Sequence, residues 1–195
     1  MTIISPLQDI HKKGLFGDHH KKNENNLLII KEIKDLIIFQ IVKYKKSTIQ
    51  INEVQIDNLN LPLESLKVSS NTETRILWSG PGVWLVVSSK KNIANLIKDK
   101  CSSQNFAVTN ISHSRAVIQI YGNNAKEILK KGCPLNINEL KKNNCAGTVF
   151  HGVTIVIDCI DDNPDKFNLL TLRSFGESFY HSVSDAALED GYKAI

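Results

Sequence analysis

The sequence predicts an antiparallel α+β protein made of two intertwined ferredoxin-like units. Three observations carry that expectation. Short runs rich in Ile, Leu and Val are broken by polar residues about every 8 to 10 positions, as strands are. Single helical segments with start and stop residues fall between pairs of such runs. Neither a Rossmann glycine fingerprint nor a P-loop is present, so a doubly wound nucleotide fold is not expected. At 195 residues, 42% hydrophobic and 23% charged, with 10 Gly and 5 Pro, the chain can bury a core and is neither collagenous nor wholly disordered.

Residues 1–26 show no period of 2 or 3.6 and read as an extended N-terminal arm. Its apolar islands are Ile3, Ile4, Leu7, Leu15 and Phe16, which could dock on a partner. His11, His19 and His20 read as solvated loop residues, because no further ligand stands at a metal-binding spacing. The remainder, residues 27–195, is expected to form the two halves. Residues 36–44 and the alternating 48–52 read as strands, and residues 58–62 as a connection. Residues 74–79 and 83–88 form the clearest hairpin, reversed at Gly80-Pro81-Gly82.

Asn92 caps a predicted helix whose apolar stripe is Ile93, Ala94, Leu96 and Ile97, ending by about Ser103. Strands follow at 106–111 and 115–121, and Gly122 ends the second. A short helix is expected next, with Asn124 and Glu127 in a capping box and Gly132 and Pro134 at its stop. Residues 147–160 and 167–172 read as two more strands around the turn Asp161-Asp162-Asn163-Pro164-Asp165. The last element is a helix with Ser174 as N-cap, a stripe of Phe175, Phe179, Val183 and Ala187, and Gly191 at its end.

Charge divides along the chain. Residues 1–157 hold 21 Lys and Arg against 12 Asp and Glu, a balance of +9; residues 158–195 hold 3 against 8, a balance of −5. Ending in an acidic helix, with no basic reading element, the chain is not expected to bind nucleic acid. Asp185, Glu189 and Asp190 oppose the dipole of that helix, which either a positive partner surface or ordinary solvation would offset. Apolar stretches such as 36–42 fall far short of the roughly 18 to 20 residues of a membrane helix. Cys101, Cys133, Cys145 and Cys159 are too widely spaced for a zinc or redox clip and read as reduced, buried thiols. With no secretory pattern at the N-terminus, the expected location is cytoplasmic.

No catalytic, cofactor-binding or metal-binding residue is assigned. The best candidates, His113-Ser114-Arg115 and His181, lack the spacing of a nucleophile and base, and His151-Gly152 reads as a turn or bulge. Asp161 and Asp162 are better explained by turn chemistry than by cation binding. Trp78 and Trp84, either side of the hairpin turn, read as core or interface anchors.

Several segments in order do resemble one family: Ser5-Pro6-Leu7, residues 84–87, residues 112–122, residues 125–129, Cys133-Pro134-Leu135, Gly147-Thr148, residues 172–175, residues 185–187 and Gly191. Together they resemble the gamma subunit of heterotetrameric sarcosine oxidase, over most of residues 72–195. Where that family commonly has Asp after Cys-Pro-Leu, this chain has Asn136. The resemblance implies a fold related to the folate-binding domain of aminomethyltransferases. It implies a non-catalytic, cofactor-free chain assembled with alpha, beta and delta subunits that hold FAD, FMN, NAD and zinc. The complex would oxidatively demethylate sarcosine to glycine and pass the methyl-derived carbon to tetrahydrofolate or release it as formaldehyde. Two alternatives stand beside it: an accessory subunit of a related N-methyl amino acid dehydrogenase, and an independent tetrahydrofolate-binding protein whose basic stretch 126–142 attracts a polyglutamate tail.

Overall fold

The computed structural model describes residues 5–20 and 22–195. The chain forms two compact units: unit 2 is residues 35–113, and unit 1 is the chain on either side of it, up to Lys34 and from Ser114 to Ile195. Unit 1 begins with β1 (Gly14–Phe16) and β2 (Leu28–Glu32). Unit 2 holds β3 (Ile37–Lys43), β4 (Gln55–Ile56), β5 (Leu59–Asn60), β6 (Val68–Ser70), β7 (Thr74–Gly80), β8 (Val83–Ser88), α1 (Ile93–Lys100) and β9 (Phe106–Asn110). Unit 1 resumes with β10 (Arg115–Tyr121), α2 (Ala125–Gly132), β11 (Cys145–Phe150), β12 (Val153–Asp162), β13 (Asp165–Leu172), α3 (Gly176–Ala187) and β14 (Tyr192–Ala194).

Unit 2 is a five-stranded antiparallel sheet in the order β6-β7-β8-β3-β9. The β7–β8 hairpin turns where expected, with Gly82 at φ +71° and Trp78 directly opposite Trp84. Trp84 is buried and donates its indole N–H to the Pro62 carbonyl at 2.8 Å, so the anchor is satisfied in polarity as well as volume. β8 and β9 run parallel to each other on either side of β3, joined across it by α1, which is half of a ferredoxin-like path. The other crossover, from β3 to β7, has no helix. Residues 48–50 are irregular and Ile51–Glu53 is a 3-10 turn, so the alternation at 48–52 does not make the expected strand. Alternation needs a neighbouring strand to become a sheet, and here Val54, Ile56 and Leu61 turn inward instead, filling the core beside Ile93, Ile97 and Trp84.

Unit 1 is a seven-stranded sheet in the order β1-β14-β2-β10-β13-β12-β11. It is antiparallel except for β14 beside β2, a parallel pairing that corrects the all-antiparallel expectation. β10, α2, β12 and β13 trace a split crossover, with β13 between the two strands that α2 connects. In a ferredoxin-like unit the strand after the second helix would flank β10. Here β2 takes that position, and β14, leaving α3, lies one place outside it. Both helices cover one sheet face: Ala125, Ile128 and Leu129 of α2 and Phe179, Val183 and Ala187 of α3 pack on Ile118, Ile120, Ile155, Ile157, Phe167 and Leu169.

Several local expectations change. The segment read as an arm belongs to unit 1: Leu7 is fully buried in its core and β1 pairs with β14. Ile3 and Ile4 lie outside the described residues. Residues 147–160 are not one strand, because His151 and Gly152, at φ +46° and +83°, make a two-residue turn between β11 and β12. Asn124 sits at φ +66° and forms no side-chain cap; its amide reaches Asp190 at 3.1 Å instead. Ser174 lies in a 3-10 turn, Arg173–Phe175, and α3 starts only at Gly176, which leaves Phe175 exposed at the head of the stripe.

Candidate functional site

The residues examined for catalysis are scattered. His113 and Ser114 are exposed in a 3-10 turn, His151 is exposed in its hairpin turn, and His181 is exposed on α3. Among the described residues none of these imidazoles is hydrogen-bonded to a hydroxyl or carboxylate, so no base is oriented toward a nucleophile. The four cysteines are buried and none is in a disulfide. Burial pushes the Cys101 and Cys133 thiols up to about 11 and Cys159 to about 12, which suppresses the thiolate that nucleophilic chemistry requires. No group of three or more His, Cys, Asp and Glu that could hold a metal occurs among the described residues. No helix there is long and apolar enough to cross a membrane.

His11 has a structural role rather than the solvated one expected. Its Nδ1 is 3.0 Å from the Tyr180 hydroxyl and its Nε2 is 3.0 Å from the Ile195 carbonyl, tying the first segment to α3 and the chain end. Burial first, then Tyr192 and the Glu32 charge, push the Tyr180 phenol up to about 12, so it is a neutral partner there.

Four of the five lysines of the basic stretch 126–142 pair with carboxylates of the same unit. Lys126 pairs with Asp165 at 2.8 Å, Lys130 with Glu127 at 2.5 Å, and Lys142 with Asp161 at 3.1 Å. Lys131 donates to the Ala186 carbonyl at 2.8 Å and reaches Glu189 at 3.0 Å and Asp190 at 3.3 Å. The positive surface that offsets the acidic end of the last helix is therefore α2 of the same unit. The Lys142 ammonium and the Asp162 and Asn163 amides hold the Asp161 carboxyl below its ordinary range, which is turn chemistry. The sequence-wise split of +9 against −5 dissolves in the fold: unit 2 carries 9 Lys and Arg against 6 Asp and Glu, and unit 1 carries 15 against 14.

One polar cluster escaped the sequence reading. Asp57, at φ +52° with Asn58 at φ +62°, turns the β4–β5 ribbon and buries its carboxylate. That carboxylate accepts from Thr74 Oγ1 at 2.6 Å and Asn71 Nδ2 at 3.1 Å, and it pairs with Lys90. Thr74 in turn meets Ser88 at 2.9 Å. Burial alone would raise the Asp57 pKa, but these donors outweigh it and the carboxyl lies below its usual 3.8. Consecutive Asp-Asn is the one signal the sequence offered, since both residues tolerate positive φ. Every partner is satisfied, so the cluster pins three segments of unit 2 together.

What unit 1 does offer is a surface. At one end of its sheet Val149 stands opposite Thr154 and Leu172 opposite Arg115, and Thr154 adjoins Leu172 one step beyond the Ile155–Thr171 pair. Opposed residues share a sheet face, so these four form one row. Val149 is 37% exposed and Leu172 43%.

Comparison with known proteins locates the chain among relatives. A family model described as "Sarcosine oxidase, gamma subunit family" matches residues 48–189, most of the chain and parts of both units. No curated protein matches significantly. Among solved structures, a chain of heterotetrameric sarcosine oxidase from Corynebacterium sp. U-96 is similar at TM-score 0.78 and 18% identity, covering 95% of this chain and 96% of that one. Glycine cleavage system aminomethyltransferase T from Bartonella henselae is similar at TM-score 0.60 and 12% identity, over 82% of this chain but only 46% of that one. Identities this low establish the fold, which is thus common to a sarcosine oxidase chain and part of an aminomethyltransferase.

Proposed function

The chain belongs to the sarcosine oxidase gamma subunit family, and on that premise we propose that it is the non-catalytic gamma subunit of a heterotetrameric sarcosine oxidase that demethylates sarcosine to glycine. The observation that carries this is the family match across residues 48–189. Its near end-to-end similarity to one chain of such an enzyme supports a subunit of the same build.

In this reading the alpha, beta and delta subunits are the partners and hold the FAD, FMN, NAD and zinc. The chain's own residues support a structural part: His113, His151 and His181 orient no nucleophile, the Cys101, Cys133 and Cys159 thiols are held protonated by burial, and Lys126, Lys130, Lys131 and Lys142 are engaged with its own carboxylates. Those pairings also favour this reading over independent tetrahydrofolate binding, which would need free cations for a polyglutamate tail. Reconstitution tests it. Sarcosine oxidation should require this chain for a stable complex while retaining turnover when His113, His151 and His181 are each replaced by Ala. Loss of turnover with an intact complex would make the chain catalytic.

A further inference from the structure

We propose that the row Val149–Thr154–Leu172–Arg115 is the surface on which another subunit docks, through an apolar segment carrying a carboxylate that pairs with Arg115. The inference rests on the gamma-subunit reading and adds to it the place and chemistry of contact. Two independent features meet there. The first is apolar exposure: Val149 and Leu172 are two of the four exposed large hydrophobic residues among the described residues of unit 1, and register places both in one row. A row crossing four strands spans about 15 Å, enough for several residues of an extended partner segment.

The second feature is the guanidinium beside them. Arg115 is half-buried, and burial lowers its pKa, so its charge is partly stripped of water. Its own hydrogen bonds reach only the Ser114 carbonyl and hydroxyl, each at 3.3 Å, and no carboxylate pairs with it among the described residues. A desolvated arginine directly opposite an exposed leucine is the composition of an interface hot spot. It selects for a carboxylate set within an apolar segment, because a neutral apolar partner would strip the remaining water from the charge without replacing it.

The test uses the full chain co-expressed with the alpha, beta and delta subunits, with association measured by affinity capture and titration. Leu172→Asp and Arg115→Glu should each weaken association at least about tenfold while the isolated chain melts within a few degrees of the parent. Val108→Asp, a similarly exposed apolar site on β9 of unit 2, should leave association unchanged. Hydrogen exchange on the unmutated complex supplies a reading independent of variant folding: amides of 149–154 and 172–175 should be protected relative to the free chain. If the parent chain does not associate, the gamma-subunit reading fails and takes the surface with it. If the parent associates but the unit 1 variants bind equally well, or the row shows no protection, the surface alone is overturned. Self-association of the isolated chain abolished by Leu172→Asp would also overturn it, by assigning the row to a second copy.

Discussion

Gly17 and Leu188 meet backbone to backbone: the Asp18 N–H donates to the Leu188 carbonyl at 2.9 Å, and a Cβ on Gly17 would lie 2.2 Å from that same oxygen. The first segment of the chain is thereby locked to the end of α3, where Gly191 makes the reciprocal approach, 2.7 Å from the Asp18 carbonyl oxygen to a Cβ placed on it. Gly17 at φ +72° and Gly191 at φ +69° also need the left-handed region that glycine enters freely.

Gly17→Ala therefore combines backbone strain with a collision that neither side can relieve by rotating. It should cost about 3 kcal/mol or more and open the first segment to proteolysis. Gly152→Ala is the control: φ is +83° there but nothing lies within 4 Å of the added Cβ, so only the conformational cost of about 1 to 2 kcal/mol applies. Equal melting shifts for the two variants would show that the Gly17 contact does not constrain the fold.

Asp57→Ala removes the shared acceptor of Thr74, Asn71 and Lys90 and leaves the buried Thr74 hydroxyl with Ser88 alone. Denaturant unfolding should show a loss of about 2 to 4 kcal/mol at neutral pH. The folded-state pKa of Asp57 lies below its unfolded value near 3.8. Its contribution is accordingly complete above the unfolded value and lost as pH falls through the lower, folded value. The parent and Asp57→Ala stability curves should converge below about pH 4, and a constant gap across that range would contradict the assignment.

Lys131→Gln strips the α3 terminus of its ammonium. Because the site is a third exposed, solvent screens it, and the expected loss is about 0.5 to 1 kcal/mol at low salt. Raising ionic strength should shrink the difference between variant and parent, whereas a salt-independent loss would mean that packing of the lysine stem matters more than its charge.

The thiols supply a chemical check. With Cys101 and Cys133 pushed up to about 11, roughly one in a thousand of each is thiolate at pH 8, and both are buried. A thiol reagent should label the native chain slowly and all four cysteines rapidly in denaturant. Fast native labelling of Cys101 or Cys133 would show that its segment opens readily.

The elements legible in the sequence were those whose signal is local. The Gly-Pro-Gly reversal marked the β7–β8 hairpin, Gly122 ended β10, and Phe179, Val183 and Ala187 marked the buried stripe of α3. What stayed hidden depends on partners distant in sequence. β1 and β14 are each three residues long and owe their existence to one another and to β2. Asn124 was read as a cap because its type suits one, but its backbone enters the left-handed region and its side chain goes to Asp190. The charge halves cancelled because Lys131 and Asp190, far apart in sequence, are neighbours in unit 1. The exposed row stayed hidden too, since it is lined up by strand register, and the pairing of β10 with β13 joins strands distant in sequence.

The central claim is that this chain works as a subunit, and native mass measurement of the protein co-expressed with the products of its neighbouring reading frames tests it most directly. The account predicts a single species in which the 21.8 kDa chain is present once beside larger flavin-bearing chains. A chain that elutes and weighs as a lone 21.8 kDa monomer, with the flavoprotein assembled and active without it, would contradict the account.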